Sequence, residues 1–418
     1  MAMTEREIKS RVNAFIDERA KAGKLNKVLL IVPDFTRCFS NAGYIANCIY
    51  HHLEDMGVRT DLLEALGTHV PMTDSQIDDM YGDIPHDRFI AHNWRKDVVT
   101  LGEVPGSYLE EITEGLWKDS IDVQVNRLVM DPSYDLIVSI GQVVPHEVIG
   151  MANHAKNLFV GAGGADMINK SHMVGAVYGM ERMMGKDFTP VRLVFDYALK
   201  TFLSERPVWF ILTVCTAPDD IIQTHGVFIG NTRKCLEDAV ALSQKMNIDF
   251  VDHGIKKCVV YLNDREFKST WLGNKAVYRT RMAIADGGEL IILAPGVEHF
   301  GEDPINDSII RKYGYRGRLH TLELFRDPAN QDLRDNMGVA AHLIHGSSDD
   351  RFSITYAVKN ITKKEIEDVG FKAADYDEMA KKYNPEKLKY GYNTMPDGEV
   401  VYYIPNPALG LWINREKF

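Results

Sequence analysis

Cysteine is scarce: Cys38, Cys48, Cys215, Cys235 and Cys258 are scattered through 418 residues, and none forms a Cys-x-x-Cys pair. That excludes a disulfide framework and a zinc ribbon. Long apolar runs are missing, so no segment reaches the length that spans a bilayer. Met1 to Lys24 is polar and charged, without the apolar core of a signal peptide, and the expectation is a reduced, cytoplasmic protein. Positive charge is in deficit, with 48 Lys and Arg against 59 Asp and Glu and a net charge of −11. No basic stripe offsets this balance, so neither nucleic acid nor a membrane is expected as a partner. A local cationic pocket for a carboxylate stays compatible with it. Phosphate loops are also lacking. The glycine run Gly161-Ala162-Gly163-Gly164 has neither Gly-x-Gly-x-x-Gly spacing nor a following Gly-Lys-Ser/Thr. There is no internal repeat and no low-complexity tract.

What remains is ordinary globular composition, 45% hydrophobic and 26% charged, in a chain long enough for two or three domains. Thr4-x-x-Glu7 and Thr73-x-x-Gln76 are capping boxes that predict helices. Val28 to Val32, residues 60–66, Leu136 to Ile140, Leu158 to Val160 and Val208 to Val214 read as strands, the last of them closing a first unit. Residues 41–57 read as a helix between two of these strands. Lys256 to Leu262 starts a second alternation, with a helix from about Thr270 to Asp286, ended by Asp286-Gly287-Gly288, and a strand Glu289 to Leu293. Alternating strands and helices predict two α/β domains, the first a doubly wound, mostly parallel sheet, with the active site in a cleft between them. The expected division is an N-terminal domain 1–230, a linker helix 231–252 and a C-terminal domain 253–418.

Ligands of such sheets sit past the carboxyl ends of the strands. Asp34, His69 and His146 all follow predicted strands. Asp34-Phe35-Thr36-Arg37 reads alone as a helix cap with a surface arginine, but Arg37 there also offers a bidentate fork for a carboxylate. In Gly67-Thr68-His69 the glycine permits a sharp turn that aims the imidazole. Pro145-His146 follows Gly141 in the same manner, and neutral imidazoles are the natural general bases near pH 7. Lys156 stands ten residues after His146, and His172 twenty-six after it. Each alone reads as a solvated lysine and a helix-start histidine. His342 and His345 are expected in a surface loop, His51 and His52 on a solvated helix face, and His154 is ranked below His172 as a ligand.

Taken together, Asp34-x-Thr36-Arg37, Gly67-Thr68-His69, Pro145-His146, Lys156 and His172 resemble the nickel-pincer-dependent lactate racemase superfamily. The resemblance implies a racemase or epimerase acting at the hydroxyl-bearing carbon of a 2-hydroxy acid. It implies His69 and His146 as acid/bases and His172 as the protein's nickel ligand. Lys156 would carry the nickel pincer nucleotide (pyridinium-3-thioamide-5-thiocarboxylic acid mononucleotide nickel) through a thioamide bond. Asp34, Arg37 and Tyr278 are implied as cofactor contacts, Arg37, Arg279, Arg281 and His299 as substrate contacts, and cofactor-biosynthesis enzymes as partners.

The pattern also departs from the family. Cys38 stands where proline is usual, and Val70 where the family has arginine after Gly-Thr-His. A Tyr-Gln-x-x-Lys element reads Tyr278-Arg279-Thr280-Arg281-Met282, so the lysine is methionine. A polar or larger hydroxy acid, malate-like or a sugar acid, is therefore expected in place of lactate. Two alternatives stay open. One is a metal hydrolase using His69, His146 and His172. The other is a cofactor-binding homologue without turnover.

Overall fold

The computed structural model describes residues 2–218, 221–407 and 410–418. By internal contacts the chain divides into two units, Met1–Val174 with Met183–Asn247, and Gly175–Arg182 with Ile248–Phe418. Each is an α/β unit built on a largely parallel sheet.

In the first unit the strands are β1 (Lys27–Val32), β2 (Arg59–Glu64), β3 (Phe89–Ala91), β4 (Val98–Val104), β5 (Ile121–Asn126), β6 (Leu136–Gln142), β7 (Pro145–His146), β8 (Gly150–Met151), β9 (Val208–Thr216) and β10 (Gln223–Gly230). The main sheet has the order β10-β9-β6-β1-β2-β3 and is parallel except at the β9–β10 edge. β1 lies at its centre, and Val28, Leu29, Leu30, Ile31 and Val32 are each 0% exposed, as a strand covered on both faces requires. Burying each such side chain contributes about 1.5–3 kcal/mol. β4 with β5, and β7 with β8, form two small antiparallel pairs. Helices Glu5–Ala22 and Ala42–Asp55 pack against each other beside this sheet, and both predicted capping boxes close with reciprocal hydrogen bonds.

Topology then places the site. The chain leaves β1 for β2 on one side and later returns to β6 on the other, so the strand order reverses at β1. Ligands of doubly wound sheets bind at such a switch point, outside the carboxyl ends of the strands. Asp34, His69 and His146 follow the carboxyl ends of β1, β2 and β6, three neighbouring strands.

In the second unit the strands are β11 (Asp249–Val251), β12 (Ile255–Tyr261), β13 (Ile284–Ala294), β14 (Ser353–Val358), β15 (Lys372–Asp375), β16 (Gly391–Thr394), β17 (Val400–Ile404) and β18 (Trp412–Asn414). Its sheet runs β15-β14-β13-β12-β17-β16, parallel except at the β16–β17 edge, with β11 and β18 as a separate parallel pair.

Several expectations require correction. Leu158 to Val160 is a π-helical turn, Asn157–Gly161, not a strand. Three apolar residues carry no periodicity, so a buried turn and a short strand look alike. Val208–Thr216 is not the last strand of its sheet, because the polar, partly exposed edge strand β10 follows it. The helix foreseen from Thr270 to Asp286 is two short helices, Thr270–Gly273 and Lys275–Thr280, and β13 begins at Ile284. Asp286-Gly287-Gly288 therefore does not cap a helix. It forms a bulge between Ile284, opposite Ile255, and Glu289, opposite Lys257, with Gly287 at φ 74°. The segment foreseen as a linker helix, 231–252, holds the helix Arg233–Met246, which packs on β9 and β10 of the first unit. His342 and His345 lie not in a surface loop but on the buried helix Met337–His345, 8% and 6% exposed. His342 Nε2 meets the Tyr315 hydroxyl at 2.9 Å, inside a polar chain that satisfies them both.

Candidate active site

Asp34 caps the turn after β1 and is 5% exposed. It accepts from the Thr36 N–H at 2.9 Å and from the Thr36 hydroxyl. His69 Nδ1 lies 2.5 Å from its other carboxylate oxygen. Burial works against the charged carboxyl, but hydrogen bonds from His69 and Thr36 and the charges of His69 and Arg37 outweigh it and hold the pKa below the usual value. An ionised carboxylate only accepts, so His69 donates through Nδ1 and turns an Nε2 lone pair outward. The half-exposed His69 ring sits on a turn opened by Gly67, whose φ of 58° favours glycine. The Gly67 N–H donates to Gly161 O at 2.7 Å, tying the His69 turn to the segment that carries Lys156.

His146 presents the opposite hydrogen-bond state. Its Nδ1 accepts from the Val148 N–H at 3.1 Å, so in the neutral ring the proton sits on Nε2. Burial, together with Lys156, His172 and Arg37, drives its pKa well below the ordinary value, and Glu147 only partly opposes them. Glu147, adjacent in sequence and acting on His146, Lys156 and His172 together, is a member of the cluster that the motifs did not single out. Its signal was its place beside the histidine.

Lys156 is half-buried at the start of the π-helical turn. Burial first, then the Arg37 charge, lower its ammonium pKa to about 8, so roughly a tenth of the amine is an uncharged nucleophile at pH 7, far more than for an ordinary lysine. His172, on the helix Ala165–Tyr178, has Nδ1 2.6 Å from Ile168 O. A carbonyl only accepts, so Nδ1 carries the proton and Nε2 is left as a donor atom for a metal. This is how metal-binding histidines are commonly oriented. The glycine run beside Lys156 serves close packing: a Cβ on Gly163 would lie 1.8 Å from Phe159 O.

The loop bearing Lys156 is held by a side chain with no sequence signal. Arg192, 0% exposed on the helix Pro190–Phe202, donates to Met151 O at 2.7 Å and to Asn153 O at 3.2 Å. Between those carbonyls and Lys156 the backbone turns through Asn153 and His154 at φ 69° and 59°, which costs about 1–2 kcal/mol per residue. Arg192→Met is expected to lower stability by about 3 kcal/mol, since it leaves buried carbonyls unpaired. Urea unfolding measures it, and a loss below about 1 kcal/mol would show the clamp to be dispensable.

Asp34→Asn is expected to destabilise most at neutral pH. A depressed carboxyl pKa gives stability that is present above its unfolded value, about 3.9, and lost as pH falls through the folded value. The gap in melting temperature between wild type and variant should therefore narrow below about pH 4. A gap independent of pH would contradict this account.

The site therefore brings together Asp34, Arg37, His69, His146, Lys156 and His172 within the first unit. Tyr278, Arg279, Arg281 and His299 belong to the second. Tyr278 is 9% exposed, and Arg279 and His299 are half-buried. Arg281 requires correction as a substrate contact. It is 1% exposed, and its guanidinium is engaged by Glu181 at 2.7 Å, Asp349 at 3.2 Å and Ser347 O at 3.0 Å. Such partners make it a structural tie of the second unit.

Among the described residues no group of three or more His, Cys, Asp and Glu is arranged to hold a metal ion. The alternative of a three-histidine hydrolase centre thus lacks its donor set. Beside Lys156, with its lowered amine pKa, stands the oriented imidazole of His172. That pair fits a metal group that brings most of its own ligands and is tethered covalently. No helix among the described residues is long and apolar enough to cross a membrane.

Residues 4–184 match the family described as the lactate racemase N-terminal domain. No curated protein matches the chain. A crystal structure of a Thermotoga maritima protein superposes with a TM-score of 0.78 at 22% identity, covering 98% of each chain. The lactate racemase apoprotein from Thermoanaerobacterium thermosaccharolyticum gives 0.74 at 14% identity, covering 98% of this chain and 93% of that one. At these identities the two structures establish the shared fold.

Proposed function

We propose, from the match of residues 4–184 to the lactate racemase N-terminal domain, that the chain is a member of the lactate racemase superfamily that acts as a racemase or epimerase of a 2-hydroxy acid other than lactate. The observation that carries the proposal is the pairing of opposite hydrogen-bond states past the ends of β2 and β6, the two strands that flank β1. His69 offers a lone pair backed by a carboxylate, and His146 offers an Nε2 proton. Inversion needs a base for the hydroxyl proton on one side of the substrate and a donor on the other.

Lys156 and His172 would hold the nickel pincer nucleotide, the first as a covalent tether and the second as a metal ligand. When bound, that group supplies a hydride acceptor, which the reaction needs because the α-hydrogen of a hydroxy acid is too weakly acidic for imidazole alone. The protein does the remainder. His69 takes the hydroxyl proton at Nε2, and Asp34 stabilises the imidazolium that results. His146, neutral with its proton on Nε2, donates a hydrogen bond from there to the substrate oxygen. Arg37, exposed beside both, grips the carboxylate. The Lys156 charge disfavours protonated His146, and a covalent tether on Lys156 would remove that charge.

The substrate class rests on the second unit's sequence. Met282 stands where lactate enzymes of the family keep a lysine, and it is 4% exposed. Arg281, being internally engaged, does not replace that lysine. Protein made together with the cofactor-synthesis enzymes should exchange the α-hydrogen of malate, phenyllactate or an aldonic acid faster than that of lactate. Lactate turning over fastest in this panel would overturn the substrate reading, and no exchange with any of them would favour a cofactor-binding protein without turnover.

A further inference from the structure

Behind the Lys156 loop, on the side of β9, lies a second cavity of about 540 Å³ that the proposed reaction does not use. His154 forms part of its wall, 1% exposed and stacked on Phe210 with ring centroids 3.8 Å apart. Neither ring nitrogen of His154 makes a hydrogen bond of ordinary geometry, and the Thr232 backbone exerts only a weak pull on the ring. Two further buried polar atoms at this cavity lack partners, Asp196 Oδ1 and Arg233 Nη1. Arg233 is otherwise fixed, donating to Asp187 at 2.7 Å and facing Asp196 at 3.0 Å. Unsatisfied buried polar groups are rare and costly, and of these His154 and Arg233 Nη1 are the ones an anion can satisfy, since Asp196 Oδ1 is itself an acceptor.

The lining defines its chemistry. Lys200 and Arg206 add positive charge to the lining, while the charge of Arg233 is matched by Asp187 and Asp196. Phe188, 71% exposed at the rim, and Phe210 supply aromatic faces. A pocket with an apolar floor and a few convergent polar groups is the usual form of a small-molecule site. We propose that this cavity binds a small organic anion, an aromatic or branched body bearing one carboxylate, whose oxygens meet His154 and Arg233. The proposal stands independently of the racemase reading. His154 lies two residues from Lys156 on the turn clamped by Arg192, so occupancy stiffens the segment that presents the lysine.

The test uses the full chain without cofactor. Benzoate, phenylacetate and indole-3-acetate are titrated by ligand-observed NMR and calorimetry, beside inorganic phosphate as anion without body and benzyl alcohol as body without anion. Binding is expected only where both features combine. His154→Phe keeps the stacked ring and deletes both ring nitrogens. It should raise the melting temperature while weakening binding at least tenfold. Lys200→Glu, at an exposed position, should weaken binding several-fold with no loss of fold. Absence of binding by all three carboxylates, or equal binding by wild type and His154→Phe, would overturn the proposal. So would a lower melting temperature in His154→Phe, which would show that the nitrogens are satisfied within the protein.

Discussion

Methionine in place of Lys156 is expected to abolish turnover and, at pH 7, to make the cofactor-free protein more stable than wild type. Loss of activity follows from loss of the amine proposed to carry the cofactor. The gain in stability follows from burial. An ammonium whose pKa falls from 10.5 to about 8 on folding carries a penalty of up to about 3 kcal/mol, and partial solvation reduces that to roughly 1–3. Its sign with pH is fixed. The penalty is complete below the folded pKa and shrinks as pH rises, because the unfolded chain then binds more protons than the folded one. The stability difference between Lys156→Met and wild type should therefore be largest below pH 8 and close by about pH 10.5. Thermal melts across that range measure it. Intact-mass spectrometry of protein made with the cofactor-synthesis enzymes gives the other half, an adduct on wild type and none on the variant. An unmodified lysine in active protein would remove the covalent tether from the mechanism.

Each of His69→Ala and His146→Ala is expected to cut turnover by about 10²–10⁴-fold, the usual contribution of a general acid or base. Both variants should keep the adduct on Lys156, since neither histidine provides the tether. Their dependences should differ, because the two rings are held differently. His69 relies on Asp34 for its tautomer, so Asp34→Asn should reproduce much of the His69 defect and add little to it in the double variant. His146 takes its orientation from the backbone N–H of Val148, so Asp34→Asn and His146→Ala should act more nearly independently. Near-normal rates in either histidine variant, in both directions of the reaction, would defeat the two-base scheme. Full additivity of Asp34→Asn and His69→Ala would separate the carboxylate from the imidazole.

The motif positions were legible because each rests on local chemistry. Val28 to Val32 is an uninterrupted apolar run ending at proline, so a buried strand and a turn at Asp34 follow from five residues of sequence. Gly67 marks a left-handed turn, and Thr4 and Thr73 mark helix starts, because caps and turns are satisfied within a few residues of the chain. That the strands belong to parallel sheets also followed from alternation of element types. The second unit was less legible. The bulge at Asp286-Gly287-Gly288 carries the same residues as a helix end, and only pairing of Ile284 with Ile255 shows the strand beginning before it.

Tertiary structure alone decided the roles of the charged side chains. Arg281 reads in sequence as a free guanidinium, but Glu181 and Asp349, a hundred and sixty-eight positions apart, enclose it. Arg192 reads as an ordinary helix residue, and its hold on Met151 and Asn153 exists only because the fold brings a helix forty residues downstream against that loop. The protonation patterns of His69, His146 and His172 belong to the same class. A sequence specifies that an imidazole is present, whereas the partner on one ring nitrogen determines what the other can do. Those partners, Asp34 Oδ2, the Val148 N–H and Ile168 O, are set by how the turns close in three dimensions.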